Sequence, residues 1–311
     1  MTACERTVMP WQLRSRMLEL GRRTMVMGIV NVTPDSFSDG GAFLDSDAAV
    51  THGLALLDEG ADILDLGAES TRPGSRAGGG AGGAFDSSLV STEEEQARLL
   101  PVLEGILRAR PDAILSVDTY KAATARAALR ADAEIINDVS GFAWDAGTAS
   151  VCAEFKAGVV LVHTRGRPEE WHTQTQLEPV DLLATVRAGL AASLSAAAAA
   201  CIPPHAVVLD PGYGFGKRFG ENYALLARQE ELLALGRPLL AGVSRKSFLG
   251  RTLAPLHGGA GAPVEARETA SVAALTAAIL HGASIVRVHA VRASVEAARI
   301  ADAVMAGGHE L

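Results

Sequence analysis

The chain has 311 residues and a net charge of −8, with 48% hydrophobic, 21% charged and 5% aromatic residues. This near-average balance of apolar and charged residues argues against wholesale disorder. The acidic total with so few rings argues against a nucleic-acid partner or an anionic membrane surface. Three widely spaced cysteines, Cys4, Cys152 and Cys201, offer neither a disulfide framework nor a thiolate zinc cluster. That usage suits a reducing, cytoplasmic compartment.

Residues 1–24 are predicted as an N-terminal extension. Arg6, Arg14, Arg16, Glu19, Arg22 and Arg23 interrupt it, so no apolar leader core is expected. Trp11-Gln12-Leu13 and Met17-Leu18-Glu19-Leu20, closed by Gly21, read as a hairpin able to plug the bottom of a barrel. From there on, residues 25–311 read as one catalytic domain. Eight short apolar, β-branched runs follow: Val26–Val32, Asp62–Leu66, Ala113–Val117, Glu134–Val139, Val159–Val162, Ala206–Leu209, Pro238–Val243 and Ser284–Val288. Near-continuous hydrophobicity is expected of strands buried on both faces.

Segments of helical period separate the runs. Val50, Leu54 and Leu57 fall on one helical face, and Ser91 with Glu94 forms a capping-box signature ahead of Leu99. Ala122–Leu129, Val151–Phe155, Leu182–Leu194, Tyr223–Leu235, Val272–Leu280 and Val295–Val304 continue the alternation. The Ala191–Ala200 stretch carries Ser193 and Ser195 and then meets Pro203, which reads as a helix of a globular domain and not a membrane span. Eight strands each followed by a helix predict a (β/α)8 TIM barrel of the α/β class, with a doubly wound open sheet as the alternative. Gly74–Ser88 and His257–Pro263 read as Gly-rich loops on the catalytic face.

The C-terminal ends of the runs carry the polar residues. Asn31, Thr33, Pro34, Asp35 and Ser36 follow the first; Asp65, Glu69, Ser70, Thr71 and Arg72 follow the second. Asp118, Asn137 with Asp138, His163, Asp210, Ser244-Arg245-Lys246-Ser247, and Arg287 with His289 end the others. In a barrel these ends share one mouth. Strand residues two apart face the same way, so Arg287 and His289 point into the mouth if Val286 and Val288 pack on the helices. A guanidinium beside an imidazole suits an anion. Asp118, Asn137 and Asp210 can hold a heterocycle whose edge presents N–H donors. The two carboxylates are alternatively hard-cation ligands. Gly212-Tyr213-Gly214-Phe215-Gly216-Lys217 lacks phosphate-loop spacing and reads as a turn that shapes a pocket. His163 reads as a pocket wall or a structural residue.

These residues stand in longer motifs. Met27 to Gly41 (MGIVNVTPDSFSDGG), Asp65 to Gly74 (DLGAESTRPG), Ser116-Val117-Asp118-Thr119, Ile136 to Gly141 (INDVSG), Asp210 to Lys217 (DPGYGFGK), Ser244-Arg245-Lys246-Ser247 and Arg287-Val288-His289 occur in this order. The set resembles the dihydropteroate synthase family, over residues 25 to about 305. The resemblance implies condensation of 6-hydroxymethyl-7,8-dihydropterin diphosphate with p-aminobenzoate, giving 7,8-dihydropteroate and pyrophosphate in folate synthesis. It implies that Asp118, Asn137, Asp210 and Lys246 hold the pterin. Asn31, Arg72, Arg287 and His289 would hold the diphosphate with Mg2+, with Asn31 nearest the metal. Phe37, Thr71, Pro73, Phe215 and Ser247 would frame p-aminobenzoate. Asp118, Arg72 and Lys246 would carry the chemistry, with Asp35 as candidate proton acceptor. A homodimer and sensitivity to sulfonamides are further expectations of the resemblance.

Three departures stand out. They are a Gly-rich insertion near 76–88, Val162-His163-Thr164 where the family shows Met-His-Met, and Ala68 where Gly is common. Two rival readings remain: a pterin-binding methyltransferase acting on a corrinoid protein, and a silent paralogue that only binds. The first has no need of Arg72, Arg287 and His289 as a diphosphate cradle.

Overall fold

The computed structural model describes residues 6–32, 42–69 and 90–307. Strands β1 (Met9–Gln12) and β2 (Met17–Leu20) pair antiparallel as the expected hairpin. Eight strands then alternate with helices: β3 (Met25–Asn31), α1 (Ala42–Asp58), β4 (Ile63–Gly67), α2 (Thr92–Ala109), β5 (Leu115–Asp118), α3 (Ala122–Arg130), β6 (Ile135–Asp138), α4 (Gly147–Phe155), β7 (Gly158–Val162), α5 (Pro179–Ala199), β8 (Val207–Asp210), α6 (Phe219–Leu226), β9 (Leu239–Ala241), α7 (Ser247–Thr252), α8 (Glu268–Leu280), β10 (Ala283–Val288) and α9 (Val291–Met305). The strands close in parallel into a barrel, β10 pairing with both β3 and β9. This is the TIM-barrel architecture; the open-sheet alternative is overturned by that closure.

Strand parity sorts the core into two layers. Met27, Ile63, Ile135, Val160, Val208, Leu240 and Ile285 fill the barrel interior. Val26, Leu64, Val117, Ile136, Val159, Leu209 and Val286 pack outward against the helices. The hairpin closes the bottom: Trp11, Leu13 and Leu20 join the interior layer, and the Trp11 indole Nε1 donates to the Ala206 carbonyl at 3.0 Å. Helix α2 starts as expected, the Ser91 hydroxyl accepting from the Glu94 amide at 3.1 Å. Helix α5 is long and apolar enough by composition to cross a membrane. Here Leu182, Leu183, Val186, Leu190, Ser193 and Ala197 form its buried stripe, and the rest of it is Ala-rich.

Two expectations need correction. The helix predicted over Tyr223–Leu235 is α6, ending at Leu226, followed by a separate 3-10 segment Gln229–Leu235. The break turns Gln229 inward, where its amide bonds the Tyr213 hydroxyl at 2.6 Å and the Ala278 and His281 carbonyls. A buried amide must be so satisfied, and a continuous helix would carry it elsewhere. The strand predicted over Pro238–Val243 shortens to Leu239–Ala241. Pro238 has no N–H for the ladder, and beyond Ala241 the chain turns toward Ser244.

Candidate active site

The mouth of the barrel is built around a carboxylate on β4. Asp65 is fully buried, on the inward parity shared with Ile63. Its Oδ1 accepts from the Ser116 hydroxyl at 2.6 Å. Its Oδ2 accepts from Arg287 Nε at 2.6 Å and from Asn137 Nδ2 at 3.0 Å. Arg287 Nη2 also donates to Asp118 Oδ2 at 2.8 Å. One guanidinium on β10 thus bridges carboxylates on β4 and β5, while β6 contributes an amide to the same acid.

The amide has a direction. A carboxylate only accepts, so Asn137 must turn its nitrogen to Asp65. Its Oδ1 is then buried and without a partner. A buried acceptor left unsatisfied costs free energy until a donor arrives. Asp138, next along β6, has the opposite parity: it accepts from the Ser140 amide at 2.7 Å and the Phe142 amide at 3.1 Å. It caps the following turn and is no part of the mouth.

Across the barrel, Asp210 Oδ1 at the end of β8 accepts from the Gly212 amide at 2.7 Å. That amide opens the Gly-rich turn. Gly212 has φ +71°, and a Cβ there would overlap the His163 carbonyl, so only glycine fits. The turn brings Phe215 beneath Lys246, whose ammonium stands 3.8 Å from the ring centroid. Lys246 follows Arg245, held in the left-handed region at φ +56°. The Arg245 amide donates to Ser271 Oγ and its carbonyl accepts from Arg267. This conformation is unfavourable without such support, and it fixes the direction in which Lys246 leaves the backbone. Ser244 anchors His289, its hydroxyl 3.0 Å from Nδ1.

The electrostatics follow from burial. Desolvation raises the Asp118 carboxyl to about 7, against the downward pull of Arg287. It raises Asp210 as well, offset by the Gly212 amide and Lys246. Desolvation also lowers the Lys246 ammonium to about 8, with Asp210 opposing. An acid and a base brought close to neutrality and facing one cleft, as Asp118 and Lys246 are here, mark a functional site. The arrangement offers a planar ligand a carboxylate edge, an amide oxygen and an ammonium, with Arg287 and His289 at the other end of the mouth. Among the described residues no cluster of three His, Cys, Asp or Glu side chains has metal-ligand geometry. Asp118 is already held by Arg287, so the reading of Asp118 and Asp210 as joint ligands of one cation finds no support.

The chain matches the model of the pterin binding enzyme family over residues 27–289. It is 44% identical over 290 residues to the dihydropteroate synthase of Mycobacterium leprae, covering 92% of this chain and 95% of that protein. It is 39% identical over 291 residues to the Bacillus subtilis dihydropteroate synthase, covering 94% and 92%. A solved Xanthomonas albilineans dihydropteroate synthase with 4-aminobenzoic acid is 41% identical with TM-score 0.81, covering 96% of this chain and 99% of that one. The chain belongs to the dihydropteroate synthase family. A further member, the Yersinia pestis enzyme solved as a sulfonamide drug complex, is 38% identical with TM-score 0.82, covering 96% of this chain and 100% of that one.

Among the residues expected to serve a dihydropteroate synthase, the mouth brings together Asp118, Asn137, Asp210, Lys246, Phe215, Arg287 and His289. Asn31 ends β3 on the same rim, and Ser247 begins α7 beside Lys246. Asp35, Phe37, Thr71, Arg72 and Pro73, with the insertion near 76–88, lie outside the described residues. His163 is not a wall of the mouth but a structural residue: it is 6% exposed, and it follows Val159 and Leu161 on the outward parity, where a Cβ on Gly189 of α5 would overlap its imidazole. Burial and the nearby Lys217 hold that ring well below the usual histidine range. His257–Pro263 is tied down, Ala262 bonding the Gly250 carbonyl at 2.8 Å and accepting from Arg267. Sequence reasoning gave no role to Asp65, Ser116 or Ser244. An acid interrupting an otherwise apolar strand was the available signal for Asp65.

Proposed function

We propose that this mouth condenses 6-hydroxymethyl-7,8-dihydropterin diphosphate with p-aminobenzoate, releasing pyrophosphate and forming 7,8-dihydropteroate. The observation that carries the reading is the buried, unpartnered Asn137 Oδ1 between Asp118 and Asp210. A pterin presents N–H donors along one edge, and this trio supplies acceptors for them. Lys246 answers the ring's acceptor atoms. Phe215 lies under the Lys246 ammonium, where it and Ser247 would frame p-aminobenzoate, together with Phe37, Thr71 and Pro73.

Arg287 and His289 would take the diphosphate, with Arg72. Asp65 and Asp118 hold two arms of the guanidinium, which fixes its plane before substrate arrives. Mg2+ fits this rim: it is commonly bound through one or two protein oxygens together with substrate phosphates and water. The Asn31 amide oxygen, at the end of β3, would hold it. When bound, the ion supplies charge neutralisation to the departing pyrophosphate. The chain's own part is to bind and orient. The Asp118 carboxylate would offset positive charge at the pterin methylene as the C–O bond breaks. The neutral aniline nitrogen of p-aminobenzoate attacks without a strong base, and Asp35 is the candidate acceptor of the proton it then sheds.

Ile300 and Val304 on α9, 67% and 59% exposed, support a homodimer through the late helices. The cysteine usage supports a cytoplasmic setting. Purified protein given both substrates and Mg2+ should yield 7,8-dihydropteroate by mass spectrometry. Methyl transfer from a methylated folate to a corrinoid protein, with no dihydropteroate, would replace this reading.

A further inference from the structure

Lys217 ends the turn that follows β8, yet its side chain runs back into the protein and is 7% exposed. Its ammonium donates to the backbone carbonyls of Gly212 at 2.7 Å, His163 at 3.2 Å and Phe215 at 3.2 Å. An ammonium has three N–H donors, and these three carbonyls account for them. One carbonyl belongs to the residue that follows β7; the other two belong to the turn. Burial pulls this ammonium down to about 7, with Asp210 opposing. A neutral side chain would fill the same space without that desolvation cost. What a neutral filler could not do is hold three converging carbonyl oxygens together.

The turn so gathered is the one that presents Phe215. The Phe215 amide donates to the Gly212 carbonyl at 3.1 Å, closing the turn that Lys217 grips. The Phe215 ring carries the Lys246 ammonium and also packs on Trp171, with ring centroids 5.2 Å apart. Trp171 is itself fixed by its indole Nε1, which donates to Thr164 Oγ1 and to the Gly166 carbonyl. Asp210 depends less on the clasp, because β8 pairs with β7 up to Asp210 itself.

We infer that Lys217 is a positioning residue which, by clasping the carbonyls of His163, Gly212 and Phe215, sets the place of the Phe215 ring under Lys246 and thereby the fit of p-aminobenzoate. The inference rests on the reading that Phe215 frames that substrate. Lys217→Met keeps the length and removes every donor; Lys217→Gln keeps two donors. In Lys217→Met the KM for p-aminobenzoate is expected to rise about tenfold, while dihydropterin diphosphate binds within threefold of wild type. Lys217→Gln should recover part of the loss. A second readout is independent of turnover: Trp171 emission, isolated by subtracting a Trp171→Phe control, should shift in Lys217→Met as Phe215 moves off the indole. Equal losses for both substrates, or an unchanged KM with unchanged Trp171 emission, would overturn the inference. An emission shift with an unchanged KM would keep the clasp but remove Phe215 from the p-aminobenzoate site. If Lys217→Met does not fold, the same comparisons on Lys217→Gln decide, with half-sized effects expected. Absence of p-aminobenzoate-dependent turnover in the wild-type protein would instead refute the functional reading itself.

Discussion

Replacing Asp65 by Asn removes one charge and leaves the shape. The substituted side chain can still accept from Arg287 and Asn137 through its amide oxygen, and its amide nitrogen can meet the Ser116 hydroxyl. What is lost is the ionic character of the 2.6 Å contact to Arg287 Nε and the 3.0 Å contact to Asn137. Hydrogen bonds to charged groups contribute about 1.5–3 kcal/mol, roughly twice the neutral value. Arg287 keeps its second hold on Asp118 at 2.8 Å, so the loss should fall near the lower half of that range. A deficit of about 2 kcal/mol corresponds to a roughly 30-fold fall in kcat/KM for dihydropterin diphosphate. The KM for p-aminobenzoate should stay within twofold, because Asp65 touches only groups on the pterin and diphosphate side. The pH profile adds a second signature. The Asp65 charge helps raise the Asp118 carboxyl, so the acid limb of kcat/KM should move to lower pH in the variant. Initial rates of pyrophosphate release across pH measure both. A kcat/KM within threefold of wild type and an unmoved acid limb would refute the reasoning.

Four further outcomes follow from the same geometry. With Asp118 near 7 and needed as a carboxylate, and Lys246 near 8 and needed as an ammonium, kcat/KM should rise through about pH 7 and fall above about pH 8. Asp118→Asn should abolish the rising limb and lower kcat by about 100-fold or more, as read from pyrophosphate release. Trp11→Ala should cost about 3–5 kcal/mol of stability in a denaturant titration, as buried Trp truncations do, with kcat at low temperature little changed, because Trp11 sits at the opposite end of the barrel. Chelating Mg2+ should weaken binding of dihydropterin diphosphate, measured by calorimetry, far more than binding of a pterin that lacks the diphosphate.

The sequence carried the barrel well, because buried parallel strands are continuous apolar runs and the helices between them keep their period. It carried the mouth through parity: Arg287 faces inward because Val286 and Val288 face the helices. It did not carry the network. The partners of Asp65 lie 51, 72 and 222 positions away, and no local pattern says which strand-end side chains meet. The split of the predicted Tyr223–Leu235 helix was hidden for the same reason, since the groups that draw Gln229 inward come from Tyr213, Ala278 and His281. Helix α7 has six residues, too short to show a period. The role of Lys217 was hidden because its partners are main-chain carbonyls, which every residue has. The motif marked the turn but not the clasp within it.

The most direct measurement is pyrophosphate release by purified protein with dihydropterin diphosphate and Mg2+, with and without p-aminobenzoate. The account predicts release only when p-aminobenzoate is present, with one 7,8-dihydropteroate formed per pyrophosphate. Bound pterin with no release in either condition would contradict it.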